Sequence, residues 1–274
     1  MKEIRNNGAT INYRVSGEGA ITLVLVHGSF IDQTYWDQQV AFFAPHYKVV
    51  TLDLPGHGQS GRDRTDWSIE GYGDDVMAVI RELELKNVIL IGHSMGADII
   101  LEVAVADPEP VIGFIAVDMF KNAATPLAEE FQSQVEAINE NLRTDFPATS
   151  EQYARMALLT PQTPEPIASR VAADYRHAYP PMGRPVIAQV FEYWARERDL
   201  LPRLPFRFYV INVDFLPINE EPLKQYLTNG YEVYHLPGTC HYPMLENPDR
   251  LNQTLAEIID KISADSQKAP KEAV

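Results

Sequence analysis

The segment Gly92-His93-Ser94-Met95-Gly96 fits the pattern G-x-S-x-G. A serine set between small residues becomes a nucleophile when a sharp strand-to-helix turn lifts its hydroxyl out of the backbone. The flanks supply such a turn: residues 88–91 form an apolar strand pattern directly before it, and residues 97–101 open a helix pattern directly after it. A serine hydroxyl is a weak nucleophile at neutral pH and needs a base. Of the seven histidines, His241 follows the strand pattern Tyr231–Leu236 in a tight turn ahead of a helix. His27, His46 and His57 lie in early loops, His177 in a helical stretch and His235 inside a strand, and all read as structural. His93 neighbours the serine, and its side chain is expected to point away from it. The base needs a carboxylate to fix its tautomer and stabilise the imidazolium. Asp214 follows the strand pattern at 206–211, and Asp118 follows the one at 111–117. Both stand at the carboxyl edge of a parallel sheet, where open α/β folds bind ligands. Either satisfies the order Ser, Asp, His, and both stay candidates. The chemistry these residues imply is acyl transfer through a covalent serine intermediate.

The elements that must position these residues follow a βαβ rhythm. Residues 10–15 alternate as a half-exposed strand, and 21–26, 49–52, 88–91 and 111–117 read as buried strands. Helix patterns at 34–43, 68–83 and 97–106 fall between them. This predicts an α/β protein with a mostly parallel central sheet and helices on both faces. The rhythm stops at 121–201. There Phe131, Val135, Ile138 and Leu142 recur at helical spacing, Thr163-Pro164 reads as a helix start, and Pro180, Pro181 and Pro185 read as a break before a helix at 186–194. Strands return at 206–211 and 231–236, and a last helix is expected over 249–262. The organisation predicted is a core of residues 1–120 and 202–264, a helical lid inserted at 121–201, and a disordered tail at 265–274.

With these residues in place, the chain resembles the α/β-hydrolase superfamily over about residues 10–264, in its esterase- and lipase-like serine branch with a helical cap. The resemblance rests on His27-Gly28, on Asp53-Leu54-Pro55-Gly56-His57-Gly58-Gln59-Ser60, on the elbow at 92–96, and on His241-Tyr242-Pro243-Met244-Leu245-Glu246-Asn247-Pro248. It implies an oxyanion hole made of the backbone N–H of Met95 and one from the early loop, at Ser29. It places the acid most often after the seventh strand, at Asp214. Here Asn212-Val213-Asp214 is one residue shorter than the family's usual Gly-x-x-Asp, while relatives with the acid after the sixth strand match Asp118. Cys240 stands where the family usually has glycine. Serine at 94 argues against haloalkane dehalogenase and epoxide hydrolase chemistry, which uses aspartate at that position.

The resemblance therefore implies a serine hydrolase that cleaves a carboxylic ester, or a similar acyl bond, of a small, neutral, largely apolar substrate. Lactone hydrolysis, carbon–carbon bond hydrolysis and perhydrolysis use the same residues, and a ligand sensor on a hydrolase scaffold is a reading of another class. The lid aromatics Phe131, Phe146, Tyr153, Tyr175, Tyr179, Phe191, Tyr193 and Trp194 are expected mostly to pack, with one or two lining an acyl pocket; Arg155, Arg170 and Arg176 are candidates to hold a substrate carboxylate, though solvated helix faces are the expected reading. The formal charge of −15 over 274 residues opposes nucleic-acid phosphates and anionic membranes, so neither is expected as a partner. No paired metal-ligand spacing and no glycine-rich nucleotide loop is present, so no metal or cofactor is expected. A single cysteine and a polar N-terminus without an apolar run predict a cytoplasmic protein without a signal peptide.

Overall fold

Apolar β-branched runs dominate the strands of the structure, a computed structural model that describes residues 2–213 and 216–268. The strands are β1 (Lys2–Asn6), β2 (Ala9–Ser16), β3 (Thr22–Val26), β4 (Lys48–Asp53), β5 (Val88–His93), β6 (Val111–Val117), β7 (Phe208–Val213) and β8 (Tyr231–Leu236). They form one eight-stranded sheet in the order β1-β2-β4-β3-β5-β6-β7-β8. The β1–β2 and β2–β4 pairs are antiparallel and the rest are parallel. Central strands such as β3 and β5 are buried throughout, as a sheet covered on both faces requires. The chain leaves β3 for β4 on one side and returns to β5 on the other. That reversal opens a crevice at the carboxyl ends of β3 and β5, and Ser29 and Ser94 both follow those ends.

Three helices belong to the first half: α1 (Asp37–Phe43), α2 (Ile69–Glu82) and α3 (Met95–Ala106). The Ser68 hydroxyl caps α2 by accepting from the Gly71 N–H. α3 is buried along nearly its whole length, so its apolar residues run all round it rather than on one stripe. Between β6 and β7 lie α4 (Glu129–Thr144), α5 (Phe146–Tyr153), a π turn (Ala154–Leu158), α6 (Glu165–His177), α7 (Pro180–Glu192) and α8 (Trp194–Leu200). The short α9 (Glu221–Tyr226) and α10 (Pro243–Glu246) precede α11 (Pro248–Lys268). α11 packs on β6 so closely that a Cβ on Gly113 would meet the Ile262 side chain at 2.6 Å. Among the described residues no helix is long and apolar enough to cross a membrane.

The structure departs from the sequence expectation at several places. β1 lies in a segment that reads only as polar. Its Lys, Glu and Arg side chains sit on an exposed edge strand, so no apolar alternation marks it. The missed signal is Asn7-Gly8, whose positive φ angles of 47° and 85° make a tight hairpin turn. The helix expected over 34–43 begins as a 3-10 turn (Gln33–Trp36) that the Asp32 side chain caps. Pro180 and Pro181 open α7 instead of breaking the segment, because the first helical positions need no amide hydrogen. Pro185 is carried inside that helix. α6 starts one residue later than expected, with Pro164 rather than Thr163 at its cap. α11 runs to Lys268, so residues 265–268 are helical where a disordered tail was expected from 265. Helix propagation adds a hydrogen bond per residue at little cost, and Gln267 and Lys268 are good helix formers. Residues 269–274 lie outside the described residues.

Candidate active site

β5 ends in register with β3 and β6: Val26 pairs with Gly92, and His93 with Val117. Ser94 follows at once, with φ 52° and ψ −129°, a conformation that L residues rarely adopt. Strain of this kind costs about 1–3 kcal/mol and persists only where the surroundings enforce it. They do so here. The Ser94 N–H donates to Val117 O at 3.0 Å, and Ser94 O accepts from the Ala97 N–H at 2.7 Å. A Cβ on Gly92 would meet Gly96 O at 2.3 Å, and one on Gly96 would meet Val26 O at 2.4 Å. The two glycines of the pattern are therefore required by close approach of backbone to backbone.

Asp118 is the residue directly after β6, and its own φ is 51°. Its N–H donates to Ile211 O at 2.8 Å, which fixes the turn against β7. Its Oδ2 lies 2.6 Å from His241 Nδ1. Its Oδ1 accepts from the Val213 N–H at 3.2 Å and lies 2.6 Å from Lys121 Nζ. Burial pushes the Asp118 pKa up, but the His241 hydrogen bond and the Lys121 charge outweigh it and hold the carboxyl below its usual range. His241 is itself buried, and its N–H donates to Leu158 O of the π turn at 3.2 Å. Asp214, the other candidate acid, lies outside the described residues.

Ser94, Asp118 and His241 line one cavity of about 900 Å³. Its walls are mostly apolar: Val135 and Ile138 of α4, Tyr153, Leu158 and Leu159, and Val190, Phe191 and Trp194. Of the stripe expected on α4, Phe131, Val135 and Ile138 line the cavity, Ile138 also packs on the core, and Leu142 is buried in it. Phe131, Met156 and Leu216 also line it and are 48%, 76% and 48% exposed, which marks them as its mouth. Phe146 and Tyr175 instead pack with Phe30 in the core. Arg155 and Arg176 pair with Glu151, and Arg170 stacks 4.1 Å over the Tyr35 ring, so none of the three arginines reaches this cavity.

Ser29 and Met95 are neighbours: the Ser29 hydroxyl donates to Met95 Sδ at 3.4 Å. Met95 opens α3, where a helix leaves N–H groups without an intrahelical acceptor. His27 shapes the same loop. Its Nδ1–H donates to Gly28 O at 2.8 Å, and its Nε2 accepts from the Leu54 N–H at 3.0 Å. Asp53 accepts from the N–H groups of Gln33 and Gln59 at 2.9 Å each, which explains the Asp53–Ser60 motif as a scaffold for that loop.

Four contributors escape the sequence. His93 does not simply point away. Its Nε2–H donates to His241 O at 2.7 Å, and burial pushes its pKa down to about 3, so it stays neutral. Lys121 reaches Asp118 from a loop whose sequence carries no motif. Asp98 and Glu197 form a buried carboxyl pair between α3 and α8, and burial raises both. Glu197 also accepts from the Ala124 N–H and lines the cavity. Beside it, Glu102 takes a bidentate pair from Arg196 at 2.6 and 2.8 Å and the Tyr193 hydroxyl at 2.5 Å. Cys240 is a buried free thiol whose pKa burial pushes up to about 12, so it is not the nucleophile.

The sheet order, the elbow and the crevice define an α/β hydrolase. The sequence model of the alpha/beta hydrolase family matches residues 23–254, and the chain belongs to that family. A stretch of 106 residues is 40% identical to an (E)-2-((N-methylformamido)methylene)succinate hydrolase of Acinetobacter baylyi, covering 39% of this chain and 40% of that enzyme. The match therefore spans less than half of that relative. Over 251 residues the chain is 26% identical to the Karrikin insensitive 2 receptor CA of Petunia hybrida, covering 87% of this chain and 91% of the receptor. Among solved structures, a thermophilic esterase from Thermogutta terrifontis superposes with a TM-score of 0.80 at 21% identity, over 96% of this chain and 99% of that one, a likeness of fold.

Proposed function

We propose that the chain is a serine hydrolase of neutral carboxylic esters, with Ser94 as nucleophile, His241 as base and Asp118 as the acid that orients it. The observation that carries this reading is the 2.6 Å contact of Asp118 Oδ2 with His241 Nδ1 in the cavity that Ser94 lines. With Nδ1–H committed to Asp118, Nε2 is left with its lone pair and takes the Ser94 proton as Oγ attacks the carbonyl carbon. Charge then develops on the carbonyl oxygen, and the N–H groups of Ser29 and Met95 stabilise it. Such donors are worth about 3–4 kcal/mol each when pre-aimed. His241 returns the proton to the leaving alcohol, and water repeats the sequence on the acyl-enzyme.

The helical insertion at 121–201 acts as the cap of this site and shapes the acyl pocket. Its apolar lining supports a long, uncharged acyl chain that runs from Ser94 toward Phe131 and Met156. Lys121 is the one cation among the described lining residues, and it is engaged with Asp118. A substrate carboxylate therefore finds no second Lys or Arg among the described lining residues.

The test is hydrolysis of p-nitrophenyl acetate, butyrate and octanoate by the wild type and by Ser94→Ala. The expected result is turnover that rises with chain length and falls by about 10³-fold or more in the variant. Activity retained in Ser94→Ala overturns the reading. The likeness to a plant receptor favours a second reading, a ligand sensor with the same residues. It predicts only a few catalytic cycles per bound ligand in the same assay.

A further inference from the structure

We propose that Lys121 is a positioning residue that sets the basicity of His241 through the second oxygen of Asp118. The inference rests on the serine-hydrolase reading and adds a residue to it. The two oxygens of the Asp118 carboxylate are used differently. Oδ2 takes His241 Nδ1, while Oδ1 faces Lys121 Nζ at 2.6 Å and the Val213 N–H at 3.2 Å. The Asp118 side chain has no exposed surface, and the Lys121 side chain is 19% exposed. Water therefore screens the pair less than it screens an exposed one.

A carboxylate beside Nδ1 stabilises imidazolium. An ammonium on the far oxygen cancels part of that field. Lys121 thereby keeps Asp118 ionised and at the same time restrains how strongly it holds a proton on His241. The same Nζ donates to Asn212 Oδ1 at 2.9 Å, Leu216 O at 3.2 Å and Val213 O at 3.3 Å, which fixes the ammonium over the carboxylate. The other titratable groups around His241 do not duplicate this role. His93, from β5, lies with its ring 4.7 Å from the His241 ring and donates to the His241 backbone O, but burial keeps it neutral, so it adds no charge there. Tyr242 beside it is a buried phenol with its pKa raised by burial. Glu246 is spent on the Cys240 N–H, and Glu197, its pKa raised by burial, lines the cavity and accepts from the Ala124 N–H. Asp214 lies outside the described residues.

The measurement is an NMR titration of the His241 ring in the full chain, beside the pH profile of kcat/KM on p-nitrophenyl butyrate, for wild type, Lys121→Gln, Lys121→Met and Lys121→Arg. Glutamine keeps a donor toward Asp118 Oδ1 without the charge. Loss of the ammonium is expected to move the ring titration and the acid limb of the profile upward by about one pH unit, and arginine to return both toward wild type. If Lys121→Met does not fold, the glutamine and arginine variants carry the comparison. A folded Lys121→Gln whose His241 titrates where the wild type does reduces Lys121 to a tether for its loop and overturns the proposal. The ring titration needs no turnover, so this failure is distinct from that of the hydrolase reading, which Ser94→Ala reports.

Discussion

At the scale of single residues the acid is the point on which chemistry turns. The Asp118 carboxylate accepts from His241 at 2.6 Å, and an asparagine there offers the ring an N–H in place of an oxygen. That locks the wrong tautomer of the base. Asp118→Asn is expected to lower kcat on the order of 10⁴-fold with the fold intact by circular dichroism, and Asp214→Asn to lower it far less. The reverse ranking moves the acid to the seventh strand. Much of this residue set was legible without coordinates. Ser94 announces itself because its neighbours must be small, and Gly92 and Gly96 meet backbone oxygens at 2.3 and 2.4 Å. His241 is marked by its turn between strand and helix. The choice between Asp118 and Asp214 was not legible, because both follow strands that end at the same sheet edge. Lys121 and His93 were hidden for another reason. Each acts through another residue's polar atom, and such contacts leave no spacing rule in the chain.

At the scale of elements the contact of α3 with α8 stands out. α3 begins one residue after Ser94, so whatever anchors α3 anchors the proposed nucleophile. Asp98 on α3 and Glu197 on α8 are both buried, and burial raises both pKa values from their ordinary 3.8 and 4.5. The folded protein thus keeps protons that the unfolded chain releases once pH passes the ordinary carboxylate range. Stability is lost as pH rises above that range through the raised values. Asp98→Asn, which keeps a donor toward Glu197, is expected to flatten that decline in thermal melts run from acidic to alkaline pH. A variant with the wild-type slope places the pH sensitivity elsewhere. Element types were read well where burial writes a pattern, as in β3, β5 and β6. They were read poorly where exposure erases it, as in β1, or where prolines serve as helix starts, as in α7. The apolar stripe of α4 is legible as helical, but a sequence cannot tell a stripe that meets the core from one that meets a cavity.

At the scale of the whole molecule two sets of buried groups oppose each other. Burial lowers His27, and it pushes His57 and His93 from the ordinary 6.5 to about 3. The unfolded chain takes up protons that these rings refuse, so their contribution is lost as pH falls below 6.5. The raised carboxyls act in the other direction above the ordinary 3.8. The charge of −15 adds self-repulsion on the alkaline side. Thermal stability is therefore expected to peak between these two values and to fall on either side; a melting temperature that keeps climbing above pH 6.5 contradicts this balance. The solitary cysteine gives the fold one more property. Cys240 is fully buried, one residue before His241, and the chain holds no other thiol. A thiol-reactive dye can modify it only when that loop leaves its seat. The rate of colour development is thus a clock for how often the segment carrying His241 swings open, read in untreated protein, without substrate and without an engineered label.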